Sequence, residues 1–300
     1  MDKIFKSGFA AIVGMPNVGK STLLNKLVGQ KIAIISDKPQ TTRNKILAIY
    51  NDEECQIVFT DTPGIHKPQN KLGEMMVKSA KETLLDNDLL IMVVDATRPL
   101  RETERELAKS IKNSGEKSIL VINKVDMVKK DNLLPFIMEC STLNEFDAVV
   151  PISAKSGDGV KLLIKEIKAL LEEGPMYYYE DMVTDQPEKQ IAAEIIREKM
   201  LWLLDKEIPH GIAIEIEKMQ EKKEITNISA VIYIEKDSHK GIVIGKGGEM
   251  LKRIGALARG DIEKMLDKKV YLELWVRVKK DWRNNNYLLK NFGFTNNEEY

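Results

Sequence analysis

A glycine-rich run between an apolar segment and a helical segment constrains this chain more than any other feature. It reads Gly14-Met15-Pro16-Asn17-Val18-Gly19-Lys20-Ser21 and matches the pattern GxxxxGK[ST]. After a strand and before a helix, such a run turns backbone N–H groups inward around phosphates, and the helix adds its positive N-terminal end. Lys20 is then expected to reach the outer phosphates, and Ser21 to ligate Mg²⁺. The run predicts an α/β P-loop fold.

A second motif, Asp61-Thr62-Pro63-Gly64, supplies the other half of phosphate sensing. We expect Asp61 to hold Mg²⁺ through water, and the Gly64 amide to meet the γ-phosphate. Between the two motifs lies the polar segment Gln40-Thr41-Thr42-Arg43. GTPases need a threonine here that closes onto Mg²⁺ and the γ-phosphate, and we favour Thr42 over Thr41. This loop is expected to order with GTP and to loosen after hydrolysis, which makes it a switch.

The base is selected by a third motif, Asn123-Lys124-Val125-Asp126, with Ser153-Ala154-Lys155 beyond it. The Asp126 carboxylate can accept two hydrogen bonds from the N1–H and exocyclic amine of guanine. Adenine lacks that donor pair and would leave the carboxylate buried and unpaired. The Lys124 stem can pack on the base, and Ala154 can offer its amide to the guanine oxygen. The motifs together predict a site that holds GTP and rejects ATP.

Hydrolysis is expected to be slow because a usual participant is missing. Many GTPases place a glutamine directly after the second motif to orient the attacking water. Ile65 occupies that position and cannot form a hydrogen bond. The side-chain oxygen of Asn17 could help to hold a monovalent cation, K⁺, near the phosphates, or it could stabilise the loop, and both interpretations stay open.

The predicted site residues fall into three groups. Those predicted to bind GTP are Gly14, Met15, Pro16, Asn17, Val18, Gly19, Lys20, Ser21, Asp61, Thr62, Pro63, Gly64, Asn123, Lys124, Asp126, Ser153, Ala154 and Lys155. Those predicted to act in catalysis are Lys20, Thr42, Gly64 and Asn17. The predicted metal ligands are Ser21, Thr42 and Asp61.

Apolar strands alternate with amphipathic helices in the first half of the chain. Strands are predicted at residues 9–13, 45–50, 56–60, 88–94, 118–122 and 148–152, and helices at 72–85, 101–113, 133–146 and 160–171. This alternation indicates a mostly parallel sheet with helices on both faces. Ligands of such sheets bind at the carboxyl ends of the strands. The motifs lie there, which supports their assignment independently of their letters.

The second half follows a different pattern, typical of an α+β domain. Its predicted elements are a helix at 188–204, strands at 211–217 and 226–235, a glycine-marked region at 241–248, a helix at 249–265 and a strand at 269–279. We therefore predict a GTP-binding domain over residues 1–173, a linker over 174–188 and a second domain over 189–300. The tyrosines of the linker are expected to pack against a domain.

The glycine-marked region contains Gly245-Lys246-Gly247-Gly248, a GxxG loop. It lacks the GK[ST] ending of a second nucleotide loop, and a plain turn between helices is the alternative. Such a loop lets a nucleic-acid backbone approach closely, because no Cβ intervenes. Basic residues outnumber acidic ones around it at 240–259 and at 268–283, as phosphate binding requires.

The motifs at 15–21, 40–43 and 61–64 resemble those of the Era family of bacterial GTPases, and the resemblance covers nearly the whole chain. It implies an α/β P-loop GTPase domain followed by an α+β type-2 KH domain that binds RNA. The RNA-binding residues that it implies are Ile244, Gly245, Lys246, Gly247, Gly248, Lys252 and Arg253. It further implies binding near the 3′ end of 16S ribosomal RNA and a role in assembly of the small (30S) ribosomal subunit, with Mg²⁺ as cofactor.

Two isolated cysteines, Cys55 and Cys140, and the lack of a long apolar run favour a cytoplasmic protein. Forty-six basic residues balance 46 acidic ones, so bulk charge indicates no polyanionic partner. The longest apolar run, at 89–94, is too short to span a membrane, and we expect a monomer. Peripheral contact with the inner membrane stays open. Two rival functions remain: a membrane-associated or cell-cycle GTPase whose RNA binding is incidental, and an RNA-binding module whose nucleotide site no longer turns over.

Overall fold

The computed structural model describes residues 5–38, 40–64, 68–83 and 87–294. Ile65 occupies the position where many GTPases carry a water-orienting glutamine, and it lies outside the described residues. Packing divides the chain into two compact units. The first comprises Met1–Ala33, Thr42–Lys67 and Met76–Asp185, and the second comprises Ile34–Thr41, Pro68–Met75 and Gln186–Tyr300. Each unit has its own apolar core.

The first unit is built on a six-stranded sheet with the order β2-β3-β1-β4-β5-β6. Its strands are β1 (Lys6–Val13), β2 (Ile46–Asn51), β3 (Cys55–Asp61), β4 (Leu89–Asp95), β5 (Lys117–Asn123) and β6 (Ala148–Pro151). Only the β2–β3 pair among these is antiparallel. Every residue of β3 and β4 is buried, as expected for strands covered on both faces. The prediction of a mostly parallel sheet is confirmed.

Five helices follow in the described part of the chain. They are α1 (Lys20–Val28), α2 (Lys71–Glu82), α3 (Glu102–Ser114), α4 (Lys130–Ser141) and α5 (Val160–Leu170). Four lie within this unit, and α2 is divided, with residues 71–75 assigned to the second unit and the rest to the first. Sequence reasoning extended α4 to residue 146, which is wrong. The helix ends at Ser141 because the next two amides form tighter bonds, from Thr142 to the Glu139 carbonyl and from Leu143 to the Cys140 carbonyl. The Thr142 hydroxyl also donates to the Glu139 carbonyl (2.7 Å).

The segment predicted as a linker lies along the first unit for much of its length. The Gln56 side chain accepts hydrogen bonds from the amides of Tyr177 and Tyr178 (2.7 and 2.9 Å). The ring of Tyr177 packs on Phe9, with 5.0 Å between the centroids. Further along, the Ile49 amide donates to the Val183 carbonyl. These contacts add an ordered stretch beside β2 and β3.

The second unit contains a three-stranded sheet with the order β7-β8-β9. Its strands are β7 (Ala213–Glu221), β8 (Ile225–Ile234) and β9 (Lys269–Val278), and its helices are α6 (Glu188–Leu203), α7 (Asp237–Ile244), α8 (Glu249–Leu266) and α9 (Asn286–Asn291). β8 is antiparallel to β7 and parallel to β9. The element order from α6 to β9 is therefore α-β-β-α-α-β.

The sequence predicts only a glycine-marked region at 241–248, whereas the structure has the helix α7 over Asp237–Ile244. In the structure the helix runs through Gly241 to Ile244. The β-branched run 242–244 between glycines argues against a helix by propensity. Tertiary packing overrides this preference, since α7 buries Val243 and His239. No helix in the described ranges is long and apolar enough to cross a membrane.

The second unit also includes the segment Ile34–Thr41. The Ile35 amide donates to Glu198 of α6 (2.9 Å), and the Trp202 indole donates to the Ile35 carbonyl (2.8 Å). The Arg197 guanidinium donates to the Thr41 carbonyl. Both charged side chains are buried on α6, so they hold this loop by its backbone.

Candidate functional site

The loop from Gly14 to Gly19 joins the end of β1 to the start of α1, as the motif predicts. Gly19 has a left-handed backbone (φ +99°), and a Cβ there would collide with the Asn123 side chain. Glycine is therefore favoured at this turn, because a Cβ would be strained at this φ and would displace the side-chain amide of Asn123.

The Lys20 side chain is buried inside this loop. Its ammonium donates to the carbonyls of Gly14 (3.0 Å) and Met15 (3.1 Å). Burial lowers the pKa of Lys20, and the nearby Asp61 carboxylate opposes that shift. The ammonium that the motif assigns to the outer phosphates thus lies within the loop and is held by two of its carbonyls.

The three predicted metal ligands meet at one point. The Ser21 hydroxyl donates to Oδ2 of Asp61 (2.7 Å), and the Thr42 hydroxyl donates to the same oxygen (3.3 Å). The hydroxyl oxygens of Ser21 and Thr42 are 2.9 Å apart. Thr41 instead donates to the carbonyls of Ser36 and Lys38. The structure thus brings Thr42, and not Thr41, to the predicted metal position.

This cluster has the chemistry of a Mg²⁺ site. Its donors are all oxygen atoms, which Mg²⁺ prefers. The second carboxylate oxygen of Asp61, Oδ1, is buried and has no hydrogen-bond partner among the described residues. A buried carboxylate oxygen without a donor is costly, and a cation or its water shell would satisfy it. Burial raises the pKa of Asp61, while Lys20, Ser21 and Thr42 oppose the shift.

Thr62 connects the second motif to β1 by a hydrogen bond, and Gly64 connects it to the P-loop by close packing. The Thr62 hydroxyl donates to the Ile12 carbonyl (3.1 Å) and is buried, so this side chain joins the end of β3 to β1. Pro63 follows, and Gly64 lies against the P-loop. A Cβ on Gly64 would lie 2.9 Å from the ring of Pro16, so the close approach of the two motifs requires glycine.

Asn123 ties three loops together at the carboxyl end of β5. Its side-chain amide donates to the Val18 carbonyl (2.8 Å), and its oxygen accepts from the amides of Lys124 (2.8 Å) and Ala154 (2.9 Å). The Ala154 amide, which we expect to reach the guanine oxygen, donates to the Asn123 side chain in the structure.

The other base-selecting residues occupy the surface of this edge. Asp126 lies in a short 3-10 helix, Val125–Met127, and is exposed, so its carboxylate is accessible to a base. Ser153 is buried, and its hydroxyl accepts from the Ser156 amide (3.2 Å). Lys155 is exposed. Ser153 therefore stabilises its own loop through this hydrogen bond, whereas the side chains of Asp126 and Lys155 are accessible to a ligand.

Sequence reasoning missed Asp95, the last residue of β4. Its carboxylate accepts from the Lys124 ammonium (2.7 Å), which also donates to the Asn17 carbonyl (2.8 Å). A signal was present, because an acidic residue at the carboxyl end of a parallel strand is a candidate ligand position. Asp95 belongs to no motif, and its contact with Lys124 depends on β4 lying next to β5, which the sequence alone does not show.

The predicted RNA-binding residues surround the turn between α7 and α8. Ile244 ends α7, and Gly245 (φ +77°) opens a 3-10 turn over Lys246–Gly248. A Cβ on Gly245 would lie 2.8 Å from the Met250 amide nitrogen. Lys246, Lys252 and Arg253 are exposed. The loop therefore presents positive charge beside a backbone that only glycine can form.

Family models match both halves of the chain. The model described as 50S ribosome-binding GTPase matches residues 9–124, and the KH domain model matches residues 207–283. The GTPase Era of Ruminiclostridium cellulolyticum is 51% identical over 98% of this chain and 99% of its own length. The GTPase Era of Clostridioides difficile is 54% identical over 97% of this chain and 99% of its own length.

Two solved structures match over the same span. One is a tyrosine-to-alanine variant of Era from Aquifex aeolicus bound to GDP·AlF4⁻, with a TM-score of 0.94 and 42% identity over 97% of this chain and all of that one. The other is Era in complex with MgGDPNP and nucleotides 1506–1542 of 16S ribosomal RNA, with the same TM-score, identity and coverage.

Proposed function

The chain belongs to the Era family of GTPases, and we propose that it is a GTP-driven assembly factor of the small ribosomal subunit. GTP orders the Thr42 loop, the KH domain takes single-stranded RNA near the 3′ end of 16S ribosomal RNA, and hydrolysis permits release. The observation that carries this proposal is full-length similarity to an Era structure that holds MgGDPNP and nucleotides 1506–1542 of that RNA.

The protein hydrolyses GTP to GDP and phosphate, as members of this family do. Lys20 would leave its loop carbonyls and neutralise the outer phosphates, since a phosphate offers its ammonium a charged partner. The Gly64 amide would donate to the γ-phosphate. The residues that would hold Mg²⁺ are Ser21, Thr42 and Asp61, and the ion, when bound, neutralises charge on the β- and γ-phosphates.

Guanine selection rests on Asp126 in this proposal. Its exposed carboxylate can accept from both donors on the Watson–Crick edge of guanine. The Lys124 stem, with its ammonium held at Asp95 and Asn17, lies at the same edge of the sheet. ATP would leave the carboxylate without a donor, which a site built on hydrogen bonds penalises strongly.

We propose that hydrolysis is slow in the isolated protein and that K⁺ accelerates it. Asn17 has a left-handed backbone (φ +65°) within the loop that is expected to surround the phosphates. A cation held by its side-chain oxygen would add positive charge where negative charge develops. Replacing KCl by NaCl at equal ionic strength should lower the rate, and an unchanged rate removes the cation from the mechanism.

RNA binding rests on the loop Gly245–Gly248 and on the exposed charges of Lys246, Lys252 and Arg253. The loop lets phosphates approach its backbone, and KH domains clamp about four nucleotides in this way. Bases would contact the helix and strand behind the loop. The protein should therefore prefer single-stranded RNA to a duplex, whose bases are stacked away from such contacts.

We place this function in the cytoplasm, with the protein acting as a monomer. Peripheral association with the inner membrane is the alternative, and flotation of the purified protein with anionic lipid vesicles tests it. Recovery with the vesicles at physiological salt would favour the membrane function, because weak electrostatic adsorption is screened there.

The direct test uses the purified full-length protein. We expect GTP and GDP to bind tightly and ATP to bind negligibly. The protein should hydrolyse GTP but not ATP. A single-stranded RNA with the 3′-terminal sequence of 16S ribosomal RNA should bind, and duplex RNA should compete poorly. Equal affinity for ATP and GTP would refute the nucleotide assignment, and equal competition by duplex RNA would refute the RNA assignment.

A further inference from the structure

Asp95 stands at the end of β4 and no motif includes it. It is 7% exposed. One carboxylate oxygen, Oδ1, accepts from the amide and hydroxyl of Thr97 (2.9 and 2.7 Å). The other, Oδ2, accepts from the Lys124 ammonium (2.7 Å). Thr97 thus fixes the direction of the carboxylate, so that Oδ2 faces Lys124 of the predicted base-selecting motif.

The Lys124 side chain is held at its far end by two acceptors. Its ammonium donates to Asp95 and to the Asn17 carbonyl (2.8 Å). A lysine stem is flexible and loses substantial rotamer freedom when it is fixed. Because contacts within the protein, to Asp95 and Asn17, hold the ammonium, the stem follows one path along this edge of the sheet.

The register of β4 and β5 argues against a purely structural role for this ion pair. Asp95 and Asn123 are already paired in the β4–β5 register, and the Ala96 amide donates to the Asn123 carbonyl (3.0 Å). The strands are therefore aligned without the side chains. Burial acts to raise the pKa of Asp95, but hydrogen bonds from Lys124 and Thr97 outweigh it, and the pKa is lowered. The group is an ionised carboxylate matched to the lysine.

We propose that Asp95 is a positioning residue for guanine-nucleotide binding that acts through Lys124. By holding the ammonium, it sets the Lys124 stem as a preformed wall for the face of the base, while Asp126 reads the edge. This inference rests on the proposed function, because it assumes that the base occupies this edge of the sheet. Preorganisation of this kind raises affinity by reducing the ordering cost of binding.

The test is Asp95→Asn in the full-length protein. Asparagine keeps an oxygen for Thr97 but places a neutral amide against Lys124. We expect GDP and GTP to bind about tenfold more weakly, in line with the loss of a hydrogen bond between charged groups. Inosine diphosphate should lose the same factor as GDP, because a stacking wall does not sense the exocyclic amine that hypoxanthine lacks.

Two further variants keep the result interpretable. If Asp95 acts through Lys124, the losses from Asp95→Asn and Lys124→Met should not multiply in the double variant, since coupled residues are non-additive. The matched control is Asp52→Asn, which breaks another carboxylate–lysine pair of the first unit, to Lys168 (2.6 Å). We expect that variant to keep wild-type GDP affinity.

The outcomes separate the inference from the function on which it rests. GDP affinity within about twofold of wild type in a folded Asp95→Asn protein would overturn the positioning role. Multiplicative losses in the double variant, or a loss restricted to GDP over inosine diphosphate, would overturn it as well. A wild-type protein that binds no guanine nucleotide would instead refute the proposed function. Denaturant unfolding without nucleotide establishes that each variant is folded.

Discussion

Ser21, Thr42 and Asp61 hold one another in the first unit through contacts of 2.7–3.3 Å, whereas Lys246 in the second unit is exposed on a turn of glycines. The turn is held by its own backbone, with the Gly245 amide donating to Gly241 and the Gly248 amide to Gly245. Side-chain contacts therefore form the predicted metal-ligand cluster, and backbone conformation forms the GxxG loop.

This difference predicts different sensitivities in the two regions. At the nucleotide site, deleting one polar group removes a ligand contact and leaves its neighbours without a partner, which is costly in a buried place. At the GxxG loop, the charges are solvated, and a single exposed charge contributes little to stability. There, an added Cβ or a reversed charge should matter more than the loss of a side chain.

The largest effect is expected from Lys20→Ala. We predict a loss of about a thousandfold in GTP and GDP affinity, because the ammonium is the main cation that reaches the phosphates. The free energy of unfolding without nucleotide should fall by only about 1–2 kcal/mol, because the carbonyls of Gly14 and Met15 lose a buried donor while the cost of burying a charge is removed. Titration with fluorescent GDP and denaturant unfolding measure the two quantities. Normal GTP hydrolysis by this variant would show that the P-loop is wrongly assigned.

The next effect belongs to the second unit. Changing Lys246 and Gly247 together to Asp replaces one positive charge and adds two negative ones where phosphates approach. We predict a loss of about a hundredfold or more in single-stranded RNA affinity, with basal GTP hydrolysis unchanged. Filter binding and phosphate release are the measurements. RNA affinity equal to that of wild type would contradict the claim that this loop contacts RNA.

A smaller effect is expected from Asp126→Asn at the edge of the base site. Guanine nucleotides should bind about thirtyfold more weakly, because charged hydrogen bonds become neutral ones. Xanthine nucleotides should gain affinity, since the donor and acceptor pattern at that edge is reversed on both partners. Competition between GDP and xanthosine diphosphate measures this change. A variant that keeps the wild-type preference would place base selection elsewhere.

The smallest effects come from a matched pair in the GxxG turn. Gly245→Ala would place a Cβ 2.7 Å from that of Met250, whereas Gly248→Ala meets nothing within 4 Å. We predict destabilisation of about 2 kcal/mol for the first and about 1 kcal/mol for the second, which has backbone strain alone (φ +84°). Denaturant unfolding of both variants tests this order. Equal losses would mean that the turn tolerates side chains on both sides.

Local signals in the sequence were enough to predict the parts of the site that lie within one motif. The P-loop and the convergence of Thr42 with Ser21 and Asp61 follow from motif order and strand ends, because each motif contains its own turn chemistry. The bounds of the predicted strands in the first half lie within three residues of the observed bounds. These strands could be located because buried strands of a mostly parallel sheet form continuous apolar runs.

Contacts between distant segments could not be predicted. Asp95 meets Lys124 only because β4 and β5 are neighbours in register, and the Ala154 amide meets Asn123 only because two loops pack together. The helix α7 was hidden because its β-branched residues favour strands by themselves, while burial of Val243 decides the outcome. Tertiary packing supplies this information, and propensity does not contain it.

Crosslinking the protein to cellular RNA and sequencing the recovered fragments tests the central claim most directly. The proposed function predicts fragments concentrated near the 3′ end of 16S ribosomal RNA for the wild type, and their loss from the variant with Asp at positions 246 and 247. The Lys20→Ala protein separates nucleotide binding from RNA contact in the same experiment. Fragments spread evenly over cellular RNA, or unchanged in the loop variant, would contradict the account.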